Sequence, residues 1–166
     1  TALSEYSERL PMNAQRWLLE KMKPGKVLNV LDVGIGKGTQ WIEFLQRHGS
    51  QVNFAGTALT RKYDPQLEGK IKIVHAAALH RRFEPNSMDV VTAHFGIHGQ
   101  ELEGVENIIH LLKPGGEALI VIHAPDDSPI VDQLNRPNKH YEIIRDHKEN
   151  YEVMDAFHYD FHLRKK

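Results

Sequence analysis

Residues 27–39 read Val-Leu-Asn-Val-Leu-Asp-Val-Gly-Ile-Gly-Lys-Gly-Thr. An apolar run ends at Asp32, Gly34, Gly36 and Gly38 follow at alternate positions, and a helical pattern begins directly after them. Glycine has no Cβ, so backbone here can approach a ligand that any other residue would hold away. A helix starting just beyond offers unpaired N–H groups at its first turn. Together these suit a nucleotide-like cofactor held at a strand-to-helix turn. The spacing is Asp-x-Gly-x-Gly-x-Gly, not the Gly-x-Gly-x-x-Gly of dinucleotide sites. Nor is it a phosphate-binding loop, which needs Gly-Lys followed by Ser or Thr; here Gly38 follows Lys37.

Histidine is the other chemical resource, with eleven along the chain. They are spread rather than clustered. The tightest arrangement is His158-Tyr-Asp160-Phe-His162, which a strand would place on one face. Metal chemistry accepts such ligands, but the polar face of an exposed edge strand explains them without one, and no metal site is expected.

Those groups need a scaffold, and 166 residues are enough for a single domain spanning 1–166 with its own core. The formal charge is −1, so no broad nucleic-acid field is implied, and the short basic clusters at Arg61-Lys62, Arg81-Arg82 and Arg164–Lys166 read as solvated surface. There is no cysteine, which excludes disulfides, thiolate metal sites and cysteine nucleophiles. No apolar run approaches membrane-spanning length and no signal peptide opens the chain, so a cytoplasmic protein is expected; the first residue is Thr, which leaves a processed start open.

Periodicity predicts a helix over 11–22, with Pro11 in its first turn, and a strand over 27–33. Residues 39–48 carry Trp41, Phe44, Leu45 and His48 at helical spacing, closed by Gly49. Strands are predicted at 52–57, 71–76 and 88–95, and an amphipathic helix over 102–112. Lys113-Pro-Gly-Gly116 stops that helix before a fifth strand at 117–123. A short helix near 130–135 and strands near 141–146 and 151–163 complete the chain. Strands alternating with helices mean an α/β fold around a mostly parallel sheet.

Val30-Leu-Asp-Val-Gly-Ile-Gly-Lys-Gly38 resembles the first motif of class I S-adenosylmethionine-dependent methyltransferases. Asn86-Ser-Met-Asp-Val-Val91 resembles that family's entry to its fourth strand, and Leu111-Leu-Lys-Pro-Gly-Gly116 its turn before the fifth. The resemblance covers about residues 25–125. It implies a Rossmann-like, seven-stranded, mostly parallel sheet of order 3-2-1-4-5-7-6 with the last strand antiparallel and helices on both faces, while the alternating pattern and the Lys113–Gly116 turn lead to the expectation of one antiparallel edge strand. It also implies S-adenosylmethionine as cofactor, with Gly34, Gly36 and Gly38 beneath its methionine and ribose parts. Asp32 would orient the cofactor's amino group, as an acid suits a cation.

Two positions depart from the family's pattern. Where the second strand usually ends in an acid that accepts both ribose hydroxyls stands Ala58, between Thr57 and Leu59. Where an Asp often lies beside the adenine, the segment reads Ala76-Ala77-Ala78-Leu79, with Ala77 equivalent. Thr57, Thr60 or water would replace part of the loss. Each missing charge-assisted hydrogen bond is worth roughly 1.5–3 kcal/mol, and Ala58→Asp is expected to recover part of it. The cofactor-facing set is therefore Asp32, Gly34, Gly36, Gly38, Thr57, Ala58, Ala77 and Leu79.

Open α/β sheets bind ligands at the carboxyl ends of strands. That edge carries Thr92-Ala-His94-Phe-Gly-Ile-His98 and His123-Ala-Pro-Asp126-Asp127. His94 or His98 would serve as a catalytic base, since imidazole titrates near neutrality; a histidine packed at a strand end is the alternative. No Asn-Pro-Pro-Tyr motif appears, which argues against amino-group methylation of nucleic-acid bases by that constellation. The resemblance implies a methyltransferase whose acceptor, small molecule or macromolecule, stays open. The alternative is a degenerate member serving as a scaffold or assembly subunit within a protein complex.

Overall fold

The computed structural model describes residues 14–58, 62–75, 78–94, 102–125, 128–151 and 156–166. Leu28–Asp32 forms β1, with Val30 and Leu31 both fully buried although they point to opposite faces. A continuous apolar run needs such two-sided cover, and the sheet supplies it. β1 pairs in parallel with β2 (Val52–Ala58) on one side and β4 (Met88–His94) on the other. β3 (Lys72–His75) flanks β2, and β5 (Leu112–Ala124) flanks β4. With β6 (Tyr141–Tyr151) and β7 (Ala156–Lys165) the sheet has the order β3-β2-β1-β4-β5-β7-β6.

Two apolar layers cover it. On one face lie α1 (Ala14–Lys21), a 3-10 turn at Thr39–Trp41 and α2 (Ile42–His48); Leu18, Trp41 and Phe44 pack there against Val30, Phe54 and Val90. On the other lie α3 (Leu79–Arg82), α4 (Leu102–Leu111) and α5 (Pro129–Asn135), whose Ile108 and Ile130 meet Leu31, Val91 and Ile120. The mostly parallel sheet with helices on both faces is thus present, and the chain from residue 39 enters its helix through a 3-10 turn rather than in one piece.

Three expectations change. The antiparallel strand is β7, as the resemblance implies, and it sits between β5 and β6 rather than at the edge. Its Tyr159, Phe161 and Leu163 are buried, whereas β6 exposes Glu142 and Ile144, so β7 belongs inside and β6 outside. Asp160 and His162 therefore do not form an exposed polar face; both are buried. Finally, Lys113–Gly116 lies within β5. Leu112 already pairs with Met88, and the ladder resumes at Val90 with Glu117, the extra residues bulging through Gly115 at φ 78°.

Burying polar groups on β5 and β7 requires partners. Glu117 accepts from Arg164 Nη2 at 2.8 Å and pairs with Lys21 of α1. His162 Nε2 lies 3.3 Å from the same carboxylate, and Trp17 packs edge-on to its ring at 5.4 Å. Burial pushes Glu117 up, but Lys21 and Arg164 outweigh it and hold the carboxyl at about 2. This cluster fastens α1 to the sheet.

Candidate active site at the glycine turn

The chain leaves β1 at the carboxyl edge of the sheet and turns through Gly34, Gly36 and Gly38, with φ values of 76°, 59° and 70°. All three lie in the left-handed region, which glycine enters without strain. The turn is tied to both neighbouring strands. Val33 donates its N–H to the Thr92 carbonyl at 2.7 Å, and Ile35 to the Thr57 carbonyl at 2.8 Å. Gly34 N–H donates to the Thr57 hydroxyl at 2.9 Å. Thr57 thus supports the turn from beneath with both its oxygens.

The glycines differ in what surrounds them. A Cβ on Gly38 would collide with Leu67, and one on Gly56 would come within 2.7 Å of Ile35 Cδ1. Ile35 is buried and uses the space that Gly56 leaves. At Gly36 a Cβ would meet nothing within 4 Å. Gly38 and Gly56 therefore serve packing, and Gly36 faces open space.

Beneath the turn, Asp32 is buried and receives three donors. Trp41 Nε1 reaches Oδ2 at 2.6 Å, Thr92 Oγ1 reaches Oδ1 at 2.9 Å, and Gln40 Nε2 stands 3.5 Å from Oδ2. Loss of water pushes its carboxyl up to about 6, while the bonds from Trp41, Thr92 and Gln40 pull the other way. A carboxylate so placed is ionised at neutral pH and protonates in mild acid.

Of the expected residues, Asp32, Gly34, Gly36, Gly38, Thr57 and Ala58 come together at this edge. Ala58 is buried in the same apolar cluster as Ile35, Trp41 and Leu67. His94 ends β4, two positions beyond Thr92 and on the same face, and is partly exposed. Leu79 is not beside the turn's apolar cluster; it opens α3 and packs in the layer on the other face. Ala77 and His98 lie outside the described residues. Among the described residues no group of three or more His, Cys, Asp or Glu is placed to hold a metal, and no helix is long and apolar enough to cross a membrane.

Sequence reasoning missed the residues that hold Asp32. Trp41 was legible only as an apolar helical position, and Thr92 lies sixty residues from its partner. No local spacing announces either bond. The Ile35–Gly56 fit was equally hidden.

The methyltransferase domain family matches residues 30–116, which runs from β1 through the Lys113–Gly116 bulge. A ubiquinone/menaquinone biosynthesis C-methyltransferase, UbiE of Idiomarina loihiensis, is 27% identical over 118 residues, covering 64% of this chain and 47% of that protein. The chain spans about half the length of that relative. An rRNA methylase from Streptococcus thermophilus superposes with a TM-score of 0.65 at 15% identity, over 92% of this chain and 93% of the other. TYW2 of P. horikoshii, solved in complex with MeSAdo, superposes with a TM-score of 0.62 at 14% identity, over 91% of this chain and 61% of the other. With the family's first motif folded as a left-handed glycine turn at the carboxyl end of the central strand, the chain belongs to the methyltransferase domain family and has the class I S-adenosylmethionine-dependent methyltransferase fold.

Proposed function

We propose that the chain binds S-adenosylmethionine over the glycine turn and transfers its methyl group to an acceptor that loses a proton. The observation that carries this reading is Gly36, left-handed and open where a side chain would stand, above a buried acid. The residues fit the group there. Asp32 is ionised above about pH 6 and complements an ammonium, and the bare backbone at Gly36 leaves room for the cofactor's body. When bound, the cofactor supplies an electrophilic methyl on sulfonium. His94, which ends β4 at the same strand edge, would accept the acceptor's proton.

Calorimetry with S-adenosylmethionine and S-adenosylhomocysteine tests it. Binding of either, abolished by substitution at Gly36, supports the reading; a folded protein that binds neither overturns it. A second reading, a scaffold on a retired fold, draws on Ala58, which stands among apolar side chains where the family usually has a ribose-binding acid. Absence of cofactor binding favours that one.

A further inference from the structure

At the opposite edge of the sheet, the amino ends of β1, β2 and β4 frame a cleft of about 480 Å³, within the range of small-molecule pockets, roughly 300–1,000 Å³. Its floor is apolar, with Phe54, Ala55, Phe83 and Met88. Its rim carries Lys70, Lys72 and Arg82 against a single carboxylate, Glu84. None of the three cations forms an ion pair within the described residues, and Lys72 Nζ is poised 4.9 Å from the centre of the Phe83 ring.

Polar groups lining the cleft support the same reading. The Ser87 hydroxyl oxygen is buried without a hydrogen-bond partner, an arrangement that costs stability unless something fills the need. Asn53 Nδ2 donates to Asn29 Oδ1 at 3.0 Å, and Asn29 Nδ2 donates to the Ser87 carbonyl at 3.0 Å. Each amide nitrogen carries two hydrogens, so each keeps one for a ligand.

We propose that this cleft is a second binding site, separate from the glycine turn, that takes an organic phosphate. The flat body lies on the apolar floor within reach of the Asn29 and Asn53 amides and the Ser87 hydroxyl. The phosphate meets Lys70, Lys72 and Arg82, whose guanidinium fork matches phosphate oxygens. A nucleotide has this chemistry, whether free or as one unit of an RNA strand.

The probe is uridine monophosphate, chosen because it lacks the adenosine that the glycine turn would take. Titration calorimetry on the full chain is run with it, with uridine, with inorganic phosphate and with an oligouridylate. Uridine monophosphate is expected to bind, with uridine and phosphate alone each at least about tenfold weaker because each loses one half of the contacts. The double variant K72Q/R82Q should weaken it about 30-fold, as loss of two charge-assisted contacts would, while K139Q, outside the cleft, should not. S87A keeps the fold and should lower affinity severalfold. S-adenosylhomocysteine should not displace the probe. An oligouridylate binding far more tightly than the monomer identifies a strand as the source; equal affinity identifies the free nucleotide. No binding of either, equal binding by K72Q/R82Q and K139Q, or displacement by S-adenosylhomocysteine overturns the proposal.

Discussion

Trp41 Nε1 donates to Asp32 Oδ2 across 2.6 Å, reaching from the turn after the glycines back to the strand before them. With Thr92 on the other oxygen, the bond fixes a buried carboxylate under the backbone that Gly36 leaves bare. The indole thus links the packing beside α2 to the electrostatics of the site.

Trp41→Phe keeps most of the apolar volume and removes the donor. Leaving a buried carboxylate short of a partner should cost about 1–3 kcal/mol at pH 7.5. The pH dependence follows from the direction of the shift. Asp32 is raised from 3.8 to about 6, so the folded state holds the proton more tightly. The stability this group contributes is complete below 3.8 and is lost as pH rises to about 6, a change of roughly 3 kcal/mol. The variant's penalty should therefore shrink in urea titrations at pH 5, where the native carboxyl is largely protonated. A penalty equal at both pH values would show that the indole acts by packing alone.

Cofactor affinity should fall in mild acid for the same reason. If the ionised Asp32 complements the ammonium of S-adenosylmethionine, affinity is flat above about pH 7 and declines below about pH 6. Asp32→Asn should weaken binding at pH 7.5 and remove that slope. Calorimetric titrations across pH 5–8 on both proteins check this; an identical slope in the variant would assign it to another group.

Substitutions at Gly36 and Gly56 should do harm for different reasons. Gly36→Val adds a side chain in open space, so cofactor binding is lost while stability falls by about 1–3 kcal/mol, the strain of a left-handed β-branched residue. Gly56→Ala meets Ile35 instead and should destabilise by about 1–3 kcal/mol through overpacking. Shortening the neighbour in Gly56→Ala/Ile35→Val should recover part of that loss. Thermal melts of the three variants decide it, and no recovery in the double variant would remove Ile35 as the cause.

The central strand and the glycine turn were legible because their signals are local. An apolar run with both faces covered and three spaced glycines need no knowledge of distant residues. The strand order, with the seventh strand antiparallel between the fifth and sixth, followed from the resemblance; the expected edge position for an antiparallel strand failed, since it depends on which strand of a hairpin buries Phe161 and which exposes Glu142. The buried Asp160 and His162 misled for the same reason: alternation shows that residues share a face, not whether that face meets water. The motif marks Asp32 as an acid facing the cofactor. What the spacing omits is that Trp41 and Thr92 hold it, contacts made only once strands and helix have packed.

Ala58→Asp is the variant on which sequence and structure part. From the motif alone, an acid restored at this position should accept two ribose hydroxyls and tighten binding. The packing reverses that expectation. Ala58 is 8% exposed and shares its cluster with Ile35, Trp41 and Leu67. A carboxylate there loses water among apolar side chains, so its charged form is disfavoured. Stability should drop by about 1–3 kcal/mol, the new carboxyl should titrate well above the ordinary carboxylate range, and affinity for S-adenosylmethionine should not improve. Urea denaturation with calorimetry on the same preparation gives both readings. A variant as stable as the parent that binds the cofactor tenfold more tightly would mean that Ala58 turns toward the ligand, and that the site lacks only its acid.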